Sequence, residues 1–329
     1  MIKIFSRILV LFVAALTCGC QRAEVFDLAK NGAGIVYALG NTGLSTWLHV
    51  ASEEYHAKYD TTLIMAPAPM AASDRGTVMM LTGGDVYTHF GDYGSAWAPL
   101  PVPPGGLFSI APLHDEILVL NNTDIYRLHS DSYQQSNPWT EVVNIGPALG
   151  AFTPRIMFRD AESDAVYIAA DDGVNIRFFA LSGMGVQPVI TPDNTPFPVL
   201  LGVIYAARKG GYFYLGNATT IYKMSSVDPF GGSTFATAIN ALSYAVADDG
   251  IYYVGFSAGL HFYHINEITT NSDELKVFTL AVTGAVMPFR GDKVAIMVKG
   301  PCPDDGVWIY DSGDFDHIVS APIDGIYSH

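Results

Sequence analysis

Basic residues are scarce in this chain. Its 329 residues include 17 Lys and Arg against 32 Asp and Glu, which gives a formal net charge of −15 at pH 7. This balance argues against a nucleic-acid partner, because binding to phosphates requires a basic surface. It also disfavours attraction to anionic lipid headgroups. A partner recruited by charge is therefore expected to be cationic.

The sequence also lacks any apolar run of the roughly 20 residues that a membrane-spanning helix needs. The apolar run that follows Lys3 and Arg7 covers only residues 8–16. Small residues and cysteines come directly after it, at 17–20. This three-part layout is typical of a secretory signal. We expect residues 1–19 to be a signal peptide that is cleaved on export.

The segment 16–20, Leu-Thr-Cys-Gly-Cys, resembles the bacterial lipobox, in which a small residue precedes a cysteine that becomes lipidated. Gly19 and Cys20 fit this pattern, and lipidation of Cys18 or an ordinary secretory signal are the alternatives. The resemblance implies an exported lipoprotein that is held to the membrane by lipid on Cys20. Gln21 stands where an aspartate is linked with inner-membrane retention, so the resemblance favours the outer membrane of a Gram-negative envelope.

Cysteine is otherwise nearly absent, since the chain has three and Cys302 is the only one beyond the N-terminal segment. No disulfide can form within the mature chain, so its stability in an oxidising compartment must come from packing. Residues 20–30 are predicted to form a lipidated tether with a span of roughly 15 to 20 Å. Residues 31–329 are predicted to form the folded domain.

A repeated hairpin dominates the remaining sequence. Each copy has an apolar strand, a turn rich in Asn, Asp and Gly, and a second strand that often carries aromatic residues. Seven pairs of strands are predicted: 35–39 with 44–50, 77–81 with 86–90, 117–120 with 125–128, 165–169 with 174–180, 212–215 with 220–224, 251–255 with 260–265, and 293–298 with 307–310.

The spacing of these hairpins is about 40 to 52 residues, which suits one four-stranded blade of a propeller. Strands rich in small residues lie between them, at 107–111, 199–207, 241–247 and 282–287. Such strands suit the crowded position beside a propeller axis. We therefore predict an all-β fold, a seven-bladed β-propeller. The alternatives are six or eight blades, a sandwich or a barrel.

A second resemblance follows the second hairpin, in Phe-Gly-Asp-Tyr-Gly-Ser-Ala-Trp at 90–97. Asp92, Gly94 and Trp97 match the Asp-box of BNR-repeat, sialidase-like propellers. A similar segment at 226–235 contains Asp228, and a weaker copy has Ser130, Asp131 and Trp139. In that family the box is structural, with the aspartate capping turn amides and the aromatic residue packing between sheets. The resemblance thus supports the fold more than a function.

Sialidase-like catalysis would require an arginine triad, a tyrosine nucleophile with its glutamate, and an acid/base aspartate. Arginines are few, and the clearest strand-borne pair, Arg155 and Arg159, has no counterpart spacing in the family. No catalytic residue can be carried over. The sequence therefore favours a non-enzymatic binding or assembly module for an envelope protein or glycan. A diverged sialidase-like glycoside hydrolase or lyase is the alternative.

Acidic residues recur at the hairpin turns, and in a propeller these turns gather on one face. That face is the predicted binding face, where an acidic rim could recruit Ca²⁺ or a basic partner. The alternative is that Asp simply forms these turns well. No cofactor and no dedicated metal site is predicted otherwise, and oligomeric state is left open. The candidate residues are Asp85, Asp124, Asp171, Asp172, Asp304 and Asp305.

Ring closure is the last sequence-based prediction. The C-terminal residues 323–327 alternate as a short strand does. We expect them to pair beside 35–39 as the inner strand of the first blade. Closure through residues 26–30 is the alternative.

Overall fold

The described part of the chain folds into short antiparallel strands. The computed structural model describes residues 24–30, 36–41, 46–51, 56–61, 70–73, 78–82 and 85–89, and residues 98–320 with gaps. The longest of these gaps are 130–137, 189–196 and 226–233. Among the described residues the strands form seven sheets, each built from consecutive strands that pair antiparallel.

The first three sheets have four strands each. The first sheet contains β1 (Glu24–Lys30), β2 (Val36–Asn41), β3 (Thr46–Ala51) and β4 (His56–Thr61). The second contains β5 (Met70–Ala72), β6 (Val78–Thr82), β7 (Asp85–His89) and β8 (Ala98–Leu100). The third contains β9 (Ser109–Leu113), β10 (Glu116–Leu120), β11 (Asp124–His129) and β12 (Trp139–Asn144).

A four-residue helix, α1 (Gly146–Leu149), leads into the fourth sheet. This sheet contains β13 (Thr153–Arg159), β14 (Val166–Asp171), β15 (Asn175–Ser182), β16 (Gly185–Pro188) and the added β17 (Phe197–Pro198). The fifth sheet contains β18 (Tyr205–Lys209), β19 (Tyr212–Gly216), β20 (Thr220–Ser225) and β21 (Thr234–Thr237). The sixth contains β22 (Ala241–Val246), β23 (Ile251–Phe256), β24 (Leu260–Ile265) and β25 (Ser272–Phe278). The seventh contains β26 (Thr283–Pro288), β27 (Val294–Lys299), β28 (Gly306–Asp311) and β29 (Asp314–Ser320).

The sheets are arranged in a ring. The first strand of each sheet contacts the first strand of the next, from β1 through β5, β9, β13, β18 and β22 to β26. Strand β1 also contacts β26, β27 and β28, so the first sheet adjoins the last one. This radial arrangement is a β-propeller, as the sequence predicted, and it excludes a sandwich. Each predicted hairpin forms the second and third strands of one sheet.

The core lies between neighbouring sheets. Both surfaces of a central strand are buried, as in β10, where Leu118 and Leu120 pack toward the fourth sheet while Ile117 and Val119 pack toward the second. This alternation follows from the two-residue period of a strand. Similar apolar clusters fill the spaces between the fourth and fifth, fifth and sixth, and sixth and seventh sheets.

The predicted ring closure is wrong. Strand β1 occupies the inner edge of β2, with Lys30 opposite Val36 and Glu24 opposite Asn41, while β3 holds the other edge. No edge of β2 is left for residues 323–327, which lie outside the described residues. The same strand also corrects the predicted tether, because residues 24–30 of the 20–30 segment belong to the propeller.

Candidate functional site

Strand register fixes which parts of the chain share one end of the propeller. The first strand of each sheet begins beside the end of the second, as Ser109 does opposite Leu120 and Thr153 opposite Asp171. The hairpin turns between second and third strands therefore lie at the same end as the links between sheets. We call this end the hairpin-turn face. The other end, where first strands run into second strands, is the opposite face.

Side-chain oxygens cap the hairpin turns on this face. Asn121 Oδ1 accepts the backbone amide of Thr123 at 2.8 Å and that of Asp124. In the fifth sheet, Asn217 Oδ1 accepts hydrogen bonds in the same way from the backbone amides of Thr219 and Thr220, each at 2.9 Å. These bonds hold each turn in the geometry that a tight hairpin needs.

Asp172 has the same capping role in the fourth sheet. Its Oδ1 accepts the backbone amides of Val174 at 2.9 Å and Asn175 at 2.7 Å. The pKa of Asp172 is lowered, first by the bond from Asn175 and then by that from Val174. Its carboxylate is exposed, so it combines a turn-forming role with a negative charge at the surface of the hairpin-turn face.

Asp171, the neighbouring residue, is buried instead, with only 5% of its surface exposed. Arg155 binds it with two donors, as Nε approaches Oδ2 and Nη2 lies 3.2 Å from Oδ1. The amide of Gly173 adds a third bond to Oδ1 at 3.0 Å. The bond from Arg155 is the largest cause that lowers the pKa of Asp171. Asp171 therefore fixes the orientation of a half-exposed guanidinium.

The remaining predicted acidic residues are placed as follows. Asp124 begins β11, and its Oδ1 accepts the Asn144 side-chain amide at 2.8 Å. Asp85 begins β7. Asp304 lies just before β28 and is half-buried. Its backbone oxygen accepts a hydrogen bond from Trp308 Nε1 at 3.0 Å. Asp305 lies outside the described residues. The described members therefore share one face, as topology predicted, and an acidic rim for Ca²⁺ or a basic partner stays a prediction.

The strongest Asp-box residues, Asp92, Gly94, Trp97 and Asp228, lie outside the described residues, as does Cys20. Trp139, the aromatic residue of the weakest copy, begins β12 and is buried between the second and third sheets. Its Nε1 donates to the backbone oxygen of Pro101.

Residues that could hold a metal are dispersed. Where the structure describes the chain, no three His, Cys, Asp or Glu side chains form a group that could bind an ion. Both ring nitrogens of His261 have partners in its own sheet. Nδ1 lies 2.7 Å from Glu274 Oε2, and Nε2 lies 2.8 Å from the backbone oxygen of Ser257. His264, three residues along β24, packs against Tyr252 with ring centroids 4.8 Å apart.

Exposed apolar side chains on the hairpin-turn face were missed by the sequence analysis. Eleven large hydrophobic residues are exposed in the described part of the chain, and nine of these lie in or beside its turns and links. Apolar residues inside Gly-rich links, as at 105–108 and 200–204, were the available signal. The nine residues are Val102, Phe108, Val174, Leu201, Ile204, Ile239, Leu242, Phe256 and Leu280.

An open pocket of about 400 Å³ lies on the same face between the third and fourth sheets. Gly105, Gly106, Phe108 and Asn122 line one side, and the start of β13 with Arg155 lines the other. A half-exposed arginine therefore stands across the pocket from a partly exposed aromatic ring. This combination can contact both the polar and the apolar parts of a small ligand.

The opposite face has a different character. Arg208 of the fifth sheet pairs with the fully buried Asp160 of the fourth, and Lys209 pairs with Asp248 of the sixth. The backbone amide of Gly210 donates to Glu162 Oε1 at 2.9 Å, which adds another link between the fourth and fifth sheets. Charged groups on this face thus connect neighbouring sheets.

The chain resembles known proteins in structure but not in sequence. No family model matches the chain, and no curated protein matches its sequence. A catalytically inactive virginiamycin B lyase from Staphylococcus aureus, solved with quinupristin, has a TM-score of 0.56 at 10% identity, covering 85% of this chain and 93% of that one. YCF48 bound to D1 peptide has a TM-score of 0.55 at 13% identity, covering 85% and 91%. Apo AztD from Citrobacter koseri has 0.53 at 11%, covering 84% and 91%.

What these proteins share with the chain is the β-propeller. At such identities the likeness shows the fold alone. The described part of the chain also contains no helix that is long and apolar enough to cross a membrane.

Proposed function

We propose that the chain is an exported lipoprotein, anchored through Cys20 to the outer membrane of a Gram-negative cell. Its propeller acts as a non-enzymatic binding or assembly module for an envelope protein or glycan. The signal-like N-terminus and the lipobox resemblance support the anchor. The propeller fold supports the module, since propellers present broad faces of turns to their ligands.

The contrast between the two faces carries this proposal. The opposite face uses its charged groups to connect sheets, as in the Arg208–Asp160 pair. The hairpin-turn face instead exposes apolar side chains, among them Leu201 at 74% and Val174 at 69%. Large apolar side chains exposed mainly at one end of a domain make that end a candidate interaction site. The hairpin-turn face is therefore the proposed contact surface.

The test changes surface charge while it preserves the turns. A triple variant Asp85→Asn, Asp124→Asn, Asp172→Asn removes three charges, and asparagine at 172 still offers the oxygen that caps the turn. The matched control changes the exposed Asp273, Asp314 and Asp316 on the opposite face to asparagine. Lipidated protein in native envelope membranes is screened for bound proteins and glycans. A ligand whose binding falls only in the first variant supports the assignment, and equal binding by both variants refutes it.

A lyase or glycoside hydrolase is the second candidate. The pocket with its oriented Arg155 favours it. Virginiamycin B lyase, a structural neighbour of the same fold, suggests one substrate to try. Purified protein is assayed on fluorogenic sialosides, a wider glycan panel and quinupristin. Turnover that is abolished by Arg155→Met, in a variant with an unchanged circular dichroism spectrum, supports catalysis. Inactivity of the parent protein on all of these substrates leaves the binding module.

A further inference from the structure

The N-terminus leaves the propeller at the hairpin-turn face. Strand β1 begins at Glu24, which lies opposite Asn41, the last residue of β2 before its hairpin turn. As the first strand of its sheet, β1 belongs to the ring of inner strands. Only three residues separate Glu24 from Cys20. An extended chain of that length reaches about 14 Å at most, so a group attached to Cys20 stays close to this face.

Exposed apolar side chains lie at this same end of the propeller. Val174 lies in a hairpin turn of the fourth sheet, whereas Leu201, Ile239 and Leu280 lie in the links that lead into the fifth, sixth and seventh sheets. Their exposed fractions are 69%, 74%, 48% and 52% in that order. They belong to four different sheets and share the end of the propeller from which the N-terminus leaves.

The charges on this face select the kind of surface. Asp172 is exposed, and the positive charge of Arg155 is balanced by Asp171. The whole chain carries a formal charge of −15. An anionic lipid surface would repel such a face, whereas a zwitterionic one would not.

We infer that the hairpin-turn face lies on the lipid bilayer, with Val174, Leu201, Ile239 and Leu280 among zwitterionic headgroups. This inference rests on the proposed lipid anchor at Cys20. The anchor holds the face within about 14 Å of the lipid, so the bilayer is the nearest apolar surface. Shallow burial of apolar side chains then adds to the binding by the acyl chains. An envelope component that contacts the hairpin-turn face must accordingly lie in the membrane.

The experiment places an environment-sensitive fluorophore on each face of the lipidated protein. Cysteine is introduced by Leu201→Cys or Leu280→Cys on the hairpin-turn face, and by Asp314→Cys on the opposite face as the control. All variants carry Cys302→Ser, so that only the new thiol reacts. The labelled proteins are reconstituted into phosphatidylcholine vesicles, and flotation measures how much protein is bound. Emission is compared with that of detergent-free protein carrying Cys20→Ser.

The expected result is a blue shift and a gain in intensity at positions 201 and 280, with no change at 314. Added phosphatidylglycerol should weaken the shift. If the protein floats but all three labels keep the emission of the unanchored form, the anchor is supported and the bilayer contact is refuted. If the protein does not float, the proposed lipid anchor itself fails. A label at 201 that is shielded in cells but not in vesicles would identify a protein cover and also refute the bilayer contact.

Discussion

At the scale of single residues, the Asp171–Arg155 pair combines burial with charge. Asp171 is nearly fully buried, and all three of its bonds come from Arg155 and the Gly173 amide. Burial alone would raise the pKa of a carboxyl group, but hydrogen bonds to its charged form lower it here. The ionised form is therefore the one that stabilises the turn between β14 and β15.

We expect Asp171→Asn to lower the free energy of unfolding at pH 7 by about 1 to 2 kcal/mol. The loss is smaller than for a fully buried ion pair, because Arg155 is half exposed and solvent screens its charge. The pKa of Asp171 is lowered in the folded state, so its contribution is present above the ordinary pKa of 3.8 and is lost as the pH falls below it. Urea unfolding of both proteins between pH 3 and pH 7 measures this. A gap that is constant across this range would contradict the ionic origin of the effect.

The sequence predicted the local role of turn residues but not their distant partners. Asn and Asp cap the amides two and three residues ahead of them, so residue type and position were sufficient for Asn121, Asp172 and Asn217. The pairing of Arg155 with Asp171 depends on the register of β13 and β14, which includes an irregularity between Pro154 and Ile156. Sequence alone gave no means to place that irregularity.

At the scale of elements, the seven hairpins were predicted because their two-residue period and turn composition are local properties. The first strand, β1, was predicted only as the alternative route of ring closure, over residues 26–30. Its sequence Glu-Val-Phe-Asp-Leu-Ala-Lys mixes charged and apolar residues, and four residues separate it from the predicted signal segment. Its strand structure depends on β2, β5 and β26, the last of which lies more than 250 residues away in the chain.

An element-scale prediction concerns the link between the fourth and fifth sheets. Asp160 is fully buried and accepts bonds from Glu162 N, Ser163 Oγ and Arg208 Nη1. We expect Asp160→Ala to cost about 3 kcal/mol in unfolding free energy, because it leaves the mostly buried Arg208 without its carboxylate. Asp314→Ala, at an exposed turn of the same face, is the control and should change stability little. Equal losses in the two variants would contradict the role of the pair.

At the scale of the whole molecule, closure depends on the N-terminal strand. Removal of residues 24–30 from the mature chain exposes the inner edge of β2 and breaks the contacts with β26–β28. We expect a marked fall in Tm and a broader transition, because the first and last sheets lose their shared interface. Removal of residues 322–329 leaves the β1–β2 ladder intact and serves as the comparison. A larger loss from that C-terminal deletion would contradict the closing role of β1.

Anchoring is tested on the same scale. Cys20→Ser should move the protein from the membrane fraction to the soluble fraction of the envelope, because a lipid-bearing cysteine is the proposed attachment. Fractionation followed by immunoblotting measures the shift, and Cys302→Ser is the control that should stay with the membrane. A Cys20→Ser protein that sediments with membranes as the parent does would refute the lipobox interpretation.

If the chain is exported as proposed, it crosses the inner membrane in sequence order. Because each sheet consists of consecutive strands, the blades can then assemble in that same order. Most pairings join neighbours in sequence and close short loops, which is fast. The contacts between β1 and β26–β28 are the exception, and they cannot form until the last sheet is available. Until then the growing ring is an open arc with apolar surfaces at both ends, and its N-terminal end is the one nearest the proposed anchor. Slow export would therefore prolong the time during which these surfaces are available to chaperones, proteases and other chains.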